Sequence, residues 1–255
     1  RYAPVHVNGI VGSDTEAGYR AMLRGITIDL RGLVVSETPT FVWHAVHDFE
    51  RWATSSESAE PGCDPEWQPL LDDESRAAPV LFLGSMDPDL QRVVLQQSRA
   101  RLIGADSMTV FMRDRGNAVR AVVEAADVLF LNSEEVELLA GVDGWREASR
   151  SLIGSGRLRA VVVKLGPDGA ACVTRDAVHE LAADHVERVV DPTGAGDALA
   201  GGFLGYCARE ERADEDAYAQ ALAEGVGCAA AAVSTFGAAG LLAMAPTNSG
   251  PPSDV

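Results

Sequence analysis

Lysine is almost absent from this 255-residue sequence: Lys164 is the only one, and the other permanently cationic side chains are arginines. Genome composition is the simplest reason for arginine replacing lysine, and an acidic, salt-adapted surface is the weaker one. Cysteine is scarce as well, and Cys63, Cys172, Cys207 and Cys228 stand too far apart for a CxxC pair. That spacing suggests neither a zinc site nor a redox motif, and places these residues as small core side chains in a reducing compartment. No window is apolar over a membrane-spanning length, and Arg1-Tyr2-Ala3-Pro4 has no signal-peptide pattern, so a soluble cytoplasmic protein without a membrane partner is expected. Positive charge is in deficit: the formal net charge of −17 excludes a broad nucleic-acid surface, and any nucleotide must be held locally.

What is present is a strand–helix rhythm. Residues 5–11 read as a strand and 15–24 as a helix. The stretch 26–48 is rich in β-formers and reads as three short strands forming an antiparallel patch. Residues 50–78 are polar, acidic and broken by prolines, the pattern of a long surface connection. From Val80 onward, strands at 80–84, 101–104, 108–111, 128–131 and 160–165 alternate with helices at 87–98, 117–126, 133–140 and near 145–153. A hairpin-like pair follows at 170–174 and 178–181, then a strand near 186–190 and helices to about 235. This order predicts an α/β fold with a doubly wound, mainly parallel sheet covered on both faces, with ligands beyond the carboxyl ends of its strands. Residues 1–246 are expected to form one domain, with 26–48 embedded in it and 247–255 a flexible tail.

The run Asp191-Pro192-Thr193-Gly194-Ala195-Gly196-Asp197 carries the most chemistry. It is a small-residue turn opening onto an apolar, helix-compatible segment, so the N–H groups of Gly194 to Asp197 lie at a helix N-terminus, where anions are favoured. A carboxylate at Asp197 would repel a phosphate there unless it accepts a proton during phosphoryl transfer. An ordinary Gly-rich turn with Asp197 as a helix cap is the structural alternative. Asn132 and Glu135, three apart at a helix start, either organise Mg²⁺ or form an N-cap with an acidic first turn. Asp106 follows a strand and faces substrate or metal, or is an ordinary loop aspartate. His44 and His47, three apart on a strand, point to opposite faces, which disfavours a metal pair.

In order and spacing, Asn132-Ser133-Glu134-Glu135, Lys164-Leu165-Gly166-Pro167-Asp168-Gly169-Ala170 and the Asp191–Asp197 run resemble the PfkB, or ribokinase-like, carbohydrate kinase family over about Val7 to Ala239. Within it, Thr40-Phe41-Val42-Trp43 and Asp106-Ser107-Met108 look most like bacterial sugar-kinase-like members of undefined substrate. The resemblance implies an ATP- and Mg²⁺-dependent kinase acting on a hydroxyl of a sugar or sugar-like molecule. Asp197 would be the general base, and Gly194, Ala195 and Gly196 the anion hole. Lys164, Gly166 and Gly169 would lie by ATP, and Asn132 and Glu135 would organise Mg²⁺. Asp191 and Thr193 match positions that in some members hold a monovalent cation such as K⁺. The β-rich stretch 26–48 would be the lid, through which family members often pair as homodimers. The rivals are a nucleoside kinase of the same family and a catalytically silent PfkB-like binding or scaffold module. The usual first strand, with its substrate-binding aspartate, and the Gly-Gly segment have no counterpart. Residues preceding Arg1 in the native protein are the expected explanation.

Overall fold

The computed structural model describes residues 2–49, 53–154 and 156–244. The chain divides into two compact units, one of Ala3–Leu70 with the chain end from Leu242, the other of Leu71–Leu241 with Tyr2. The tail expected at 247–255 lies outside the described residues.

The first unit opens with strand β1 (Val5–Gly12), helix α1 (Glu16–Met22) and strand β2 (Ile28–Ser36), and β1 pairs with β2 in parallel. Gly12 ends β1 where the backbone passes close by: a Cβ there would lie 2.5 Å from the Thr40 nitrogen and 2.6 Å from the Thr38 oxygen. Asp14 secures the same crossing, its Oδ1 accepting from the Thr40 N–H and hydroxyl, each at 3.0 Å. Strands β3 (Val42–Asp48) and β4 (Ala53–Glu60) then form an antiparallel ribbon.

These pairings revise two expectations. Residues 26–48 are not one antiparallel patch, because β2 joins β1 in parallel and β3 alone of that stretch is antiparallel. Its partner, β4, lies within 50–78, the segment read as a connection. The polar sequence Ala-Thr-Ser-Ser-Glu-Ser-Ala-Glu holds a strand through cross-strand bonds: Trp43 Nε1 donates to Ser56 Oγ at 2.9 Å, and His47 Nδ1 bonds Thr54 Oγ1 at 2.8 Å.

The second unit runs α2 (Asp73–Ala77), β5 (Val80–Leu83), α3 (Pro88–Gln97), β6 (Leu102–Asp106), α4 (Thr109–Asp114), α5 (Gly116–Ala125) and β7 (Val128–Asn132). It continues through α6 (Ser133–Ala140), α7 (Trp145–Leu152), β8 (Ala160–Lys164), β9 (Ala170–Thr174) and β10 (Val178–Leu181) to α8 (Ala195–Glu210) and α9 (Glu215–Val233). Helix α10 (Ala239–Met244) closes the described chain. The strands form a six-stranded sheet in the order β10-β9-β8-β7-β6-β5. Strands β5 to β8 are parallel, and β9 and β10 are antiparallel additions at one edge.

Val128 to Leu131 and Ala160 to Val163 are all at most 3 % exposed, which is why these strands read as continuous apolar runs: helices cover both faces. On one face Phe130, Val162 and Cys172 pack against Phe203, Leu204 and Leu222 of α8 and α9. An edge-to-face chain crosses this core, with ring centroids of Phe82 and Phe130 5.9 Å apart and those of Phe130 and Phe203 5.5 Å apart.

Two further expectations change in this unit. Met108–Phe111 does not form a strand: β6 ends at Asp106, and Thr109–Asp114 is helical, a short apolar run fitting either periodicity. There is no strand near 186–190. The N–H groups of Val190 and Asp191 instead bond the Val233 carbonyl at the end of α9, at 2.8 and 3.4 Å. The turn leading into α8 is therefore tied to α9 and does not follow a strand. Among the described residues, no helix is long and apolar enough to cross a membrane.

Candidate functional site

The carboxyl ends of β6, β7 and β8 and the head of α8 bring the second unit's candidate groups together. Gly194 adopts the left-handed conformation (φ 78°) as the N-cap of α8, and it supplies no capping side chain. The Ala195 N–H turns back to the Pro192 carbonyl at 3.2 Å, and the Thr193 N–H donates to Asp191 Oδ1 at 2.9 Å. The N–H groups of Gly194, Gly196 and Asp197 have no acceptor among the described residues. An uncapped helix head presents such donors together with the positive end of the helix dipole, an arrangement suited to an anion. Asp197, in the first turn of α8, is exposed.

Asn132 and Glu135 form a reciprocal capping box at the start of α6. Asn132 Oδ1 accepts from the Glu135 N–H at 2.8 Å, and Glu135 Oε2 accepts from the Asn132 N–H at 2.9 Å. The local reading of this pair as an N-cap thus holds, and the Glu135 carboxylate takes a second backbone hydrogen bond, from Thr109. Glu135 is only 7 % exposed; burial raises its pKa, opposed by the Asn132 N–H bond and the Lys164 charge.

Lys164 ends β8 and is only partly exposed: its Nζ donates to both Asp106 carboxylate oxygens, at 2.9 and 3.1 Å. Asp106 is 5 % exposed, and burial outweighs the Lys164 charge in raising its pKa, with the nearby Asp197 charge adding to the rise. Neighbouring Ser107 donates its N–H to Asp106 Oδ1 at 2.7 Å, while its buried hydroxyl has no partner among the described residues. The same ammonium lies against α8, since a Cβ on Gly196 would be 3.3 Å from Nζ and 3.1 Å from Cδ. One lysine therefore links the end of β6 to the helix head that carries Asp197.

Gly166 and Gly169 bracket a 3₁₀ turn with φ of 61° and 103°. Nothing crowds Gly166, whereas a Cβ on Gly169 would collide with the Leu181 carbonyl, so Gly169 has a structural need of its own. A cavity of about 500 Å³ flanks the cluster without containing it. Lined by Ser133, Trp145, Arg146, Leu165, Asp168 and Glu180 among others, it includes neither Asp106 nor Asp197.

The structure thus brings Asn132, Glu135, Lys164 and the Gly194–Asp197 turn to one rim, with Asp191 and Thr193 in the loop just before α8. Asp106 joins the site without having been selected over a loop aspartate from sequence. Its signal was its place as the last residue of a fully buried strand, where a carboxylate needs a partner. His44 and His47 lie on β3 in the other unit.

A family model described as pfkB family carbohydrate kinase matches residues 2–243. Cytidine kinase of Thermococcus kodakarensis is 30 % identical over 142 residues, covering 53 % of this chain and 50 % of that protein. Aminoimidazole riboside kinase of Salmonella typhimurium is 34 % identical over 113 residues, covering 44 % of this chain and 35 % of that protein. The matched stretch therefore spans half or less of these curated relatives. Among solved structures, fructokinase from Vibrio cholerae O395 in its fructose-, ADP- and calcium-bound form superposes with a TM-score of 0.74 at 21 % identity, covering 93 % of this chain and 82 % of that one. The nucleoside kinase of Methanocaldococcus jannaschii gives 0.71 at 20 %, covering 91 % and 75 %. At these identities the structural matches speak for the fold, which is that of the ribokinase-like kinases.

Proposed function

The chain belongs to the pfkB family of carbohydrate kinases, and from that premise we propose that it transfers the γ-phosphate of ATP to a hydroxyl of a sugar or nucleoside. The observation that carries the proposal is the head of α8, where open N–H donors and the Asp197 carboxylate occupy one helical turn. The N–H groups of Gly194, Gly196 and Asp197 bind the transferred phosphoryl group and offset charge on its oxygens without reorganising. Asp197 accepts the proton of the acceptor hydroxyl as the new bond to phosphorus forms, so the alcohol attacks as the stronger nucleophile. Lys164, with Gly166 and Gly169, borders the nucleotide phosphates.

The residues present also fit a divalent cation. Asn132 and Glu135 offer oxygen ligands of the kind Mg²⁺ takes largely through water, and the unpartnered Ser107 hydroxyl lies just past the end of β6. Bound there, Mg²⁺ would neutralise phosphate charge. The Asp191–Thr193 turn is the place for a monovalent cation, K⁺ being the first to test.

The two curated relatives compared above carry names, cytidine kinase and aminoimidazole riboside kinase, that denote ribosyl substrates, which favours an acceptor bearing a ribose within the broader sugar class. The test is ATP consumption by the full-length protein over a panel of hexoses, pentoses and nucleosides, with ATP binding followed by calorimetry. Turnover confined to sugars or nucleosides supports the reading and chooses between them. No turnover with any acceptor, together with no ATP binding, would instead support a silent binding module.

A further inference from the structure

Asp106 has a role that the kinase reading above does not assign. A lysine side chain has four rotatable bonds, and left free it samples many positions of its charge. Lys164 is denied that freedom, because both carboxylate oxygens of Asp106 hold its ammonium. Asp106 is itself fixed from two sides. The Ser107 N–H bonds its Oδ1 at 2.7 Å, and Gln91, 1 % exposed, donates from Nε2 to the Asp106 carbonyl at 2.9 Å and to the Gly84 carbonyl at 2.8 Å. Gln91 thereby joins the residue after β5 to the end of β6, and the chain of contacts runs Gln91, Asp106, Lys164 to the first turn of α8.

The pairing of residue sizes at the end of that chain is close. A Cβ on Gly196 would sit 3.3 Å from Nζ, so the ammonium fills the place beside the open N–H donors. A sequence that uses arginine for every other permanent positive charge keeps its one lysine here. The planar guanidinium is the wider group, and here the compact ammonium sits between a buried carboxylate and a glycine. A salt bridge serving stability alone would not need its cation turned toward an uncapped helix head.

Resting on the kinase reading, we propose that Asp106 is a positioning residue that holds the Lys164 ammonium at the head of α8, where it meets the terminal phosphates of the nucleotide. Asp106 touches neither substrate nor reacting atoms and acts through Lys164.

The single lysine makes a direct test available. Full-chain protein grown on lysine isotopically labelled at Nζ gives one side-chain ammonium signal by NMR. We expect that signal to be sharp in the free protein, to shift on addition of ATP with Mg²⁺, and to stay in place with adenosine. In Asp106→Asn the anchored signal is lost to exchange, and the ATP-dependent shift is lost with it. ATP binding by calorimetry that leaves the wild-type signal unmoved would overturn this inference alone. A response to adenosine equal to that to ATP, or an Asp106→Asn signal identical to wild type, would also overturn it. Absence of ATP binding to the wild-type protein would remove the kinase reading, and this inference with it. The wild-type titration decides even if Asp106→Asn fails to fold, which near-UV circular dichroism reports.

Discussion

Replacing Gly201 and Gly202 by alanine, one at a time, separates two effects on the helix that carries the site. Both positions lie inside α8, and either alanine gains about 1 kcal/mol of helix propensity over glycine. At Gly201, which is exposed, a Cβ meets nothing within 4 Å, so Gly201→Ala keeps the whole gain. At Gly202 a Cβ would lie 2.8 Å from both the Glu224 carbonyl oxygen and Gly225 Cα, and 2.9 Å from Cys228 Sγ, all on α9. Two of those atoms belong to backbone and cannot rotate away, so α8 and α9 must part, at a cost of about 1–3 kcal/mol. Propensity cancels between the two variants, and the difference left is packing, about 2 kcal/mol. For a chain of this size that corresponds to a gap of about 4–8 °C in Tm, with Gly201→Ala above wild type and Gly202→Ala below it. Thermal unfolding followed by far-UV circular dichroism measures it. Two variants melting within about 1 °C of each other would refute the close α8–α9 contact.

Two other expectations follow from buried polar groups. Asp127 is fully buried, accepting from the Ile103 N–H at 2.9 Å and pairing with Arg157 at 2.7 Å. Asp127→Ala leaves that N–H without an acceptor, at about 1–3 kcal/mol, while the half-exposed Arg157 returns to water for about 0–1 kcal/mol; a lower urea midpoint with unchanged slope is expected. All four cysteines are free and buried, and burial pushes the Cys172 and Cys207 thiols up to about 12. Since only the thiolate reacts, a thiol reagent at about pH 8 should find none of the four in the native protein and all of them in denaturant.

The apolar strands of the second unit were legible because both faces of a covered sheet demand apolar residues at every position, as in Val128–Asn132 and Ala160–Lys164. Strand β4 was not, because it holds its place through hydroxyl bonds to Trp43 and His47 and has almost no β-formers of its own. The helical turn at Thr109–Asp114 was misread because four apolar-leaning residues carry no period. At the site, glycines and Asp197 announced themselves through a contiguous pattern. Asp106 stayed hidden because its meaning depends on Lys164, 58 residues away in sequence, and only the parallel order of β6, β7 and β8 brings the pair together.

The central claim is that Asp197 takes the acceptor's proton at a helix head that binds phosphate. Asp197→Asn keeps the shape and the N–H donors but cannot accept that proton. With the acceptor found by the panel, its kcat should fall by about 10²–10⁴-fold, while ATP affinity measured by calorimetry on the same protein stays close to wild type. A variant that turns over at near-native rate would contradict the assignment of the base, and one that loses ATP binding as well would contradict the division of labour within the turn.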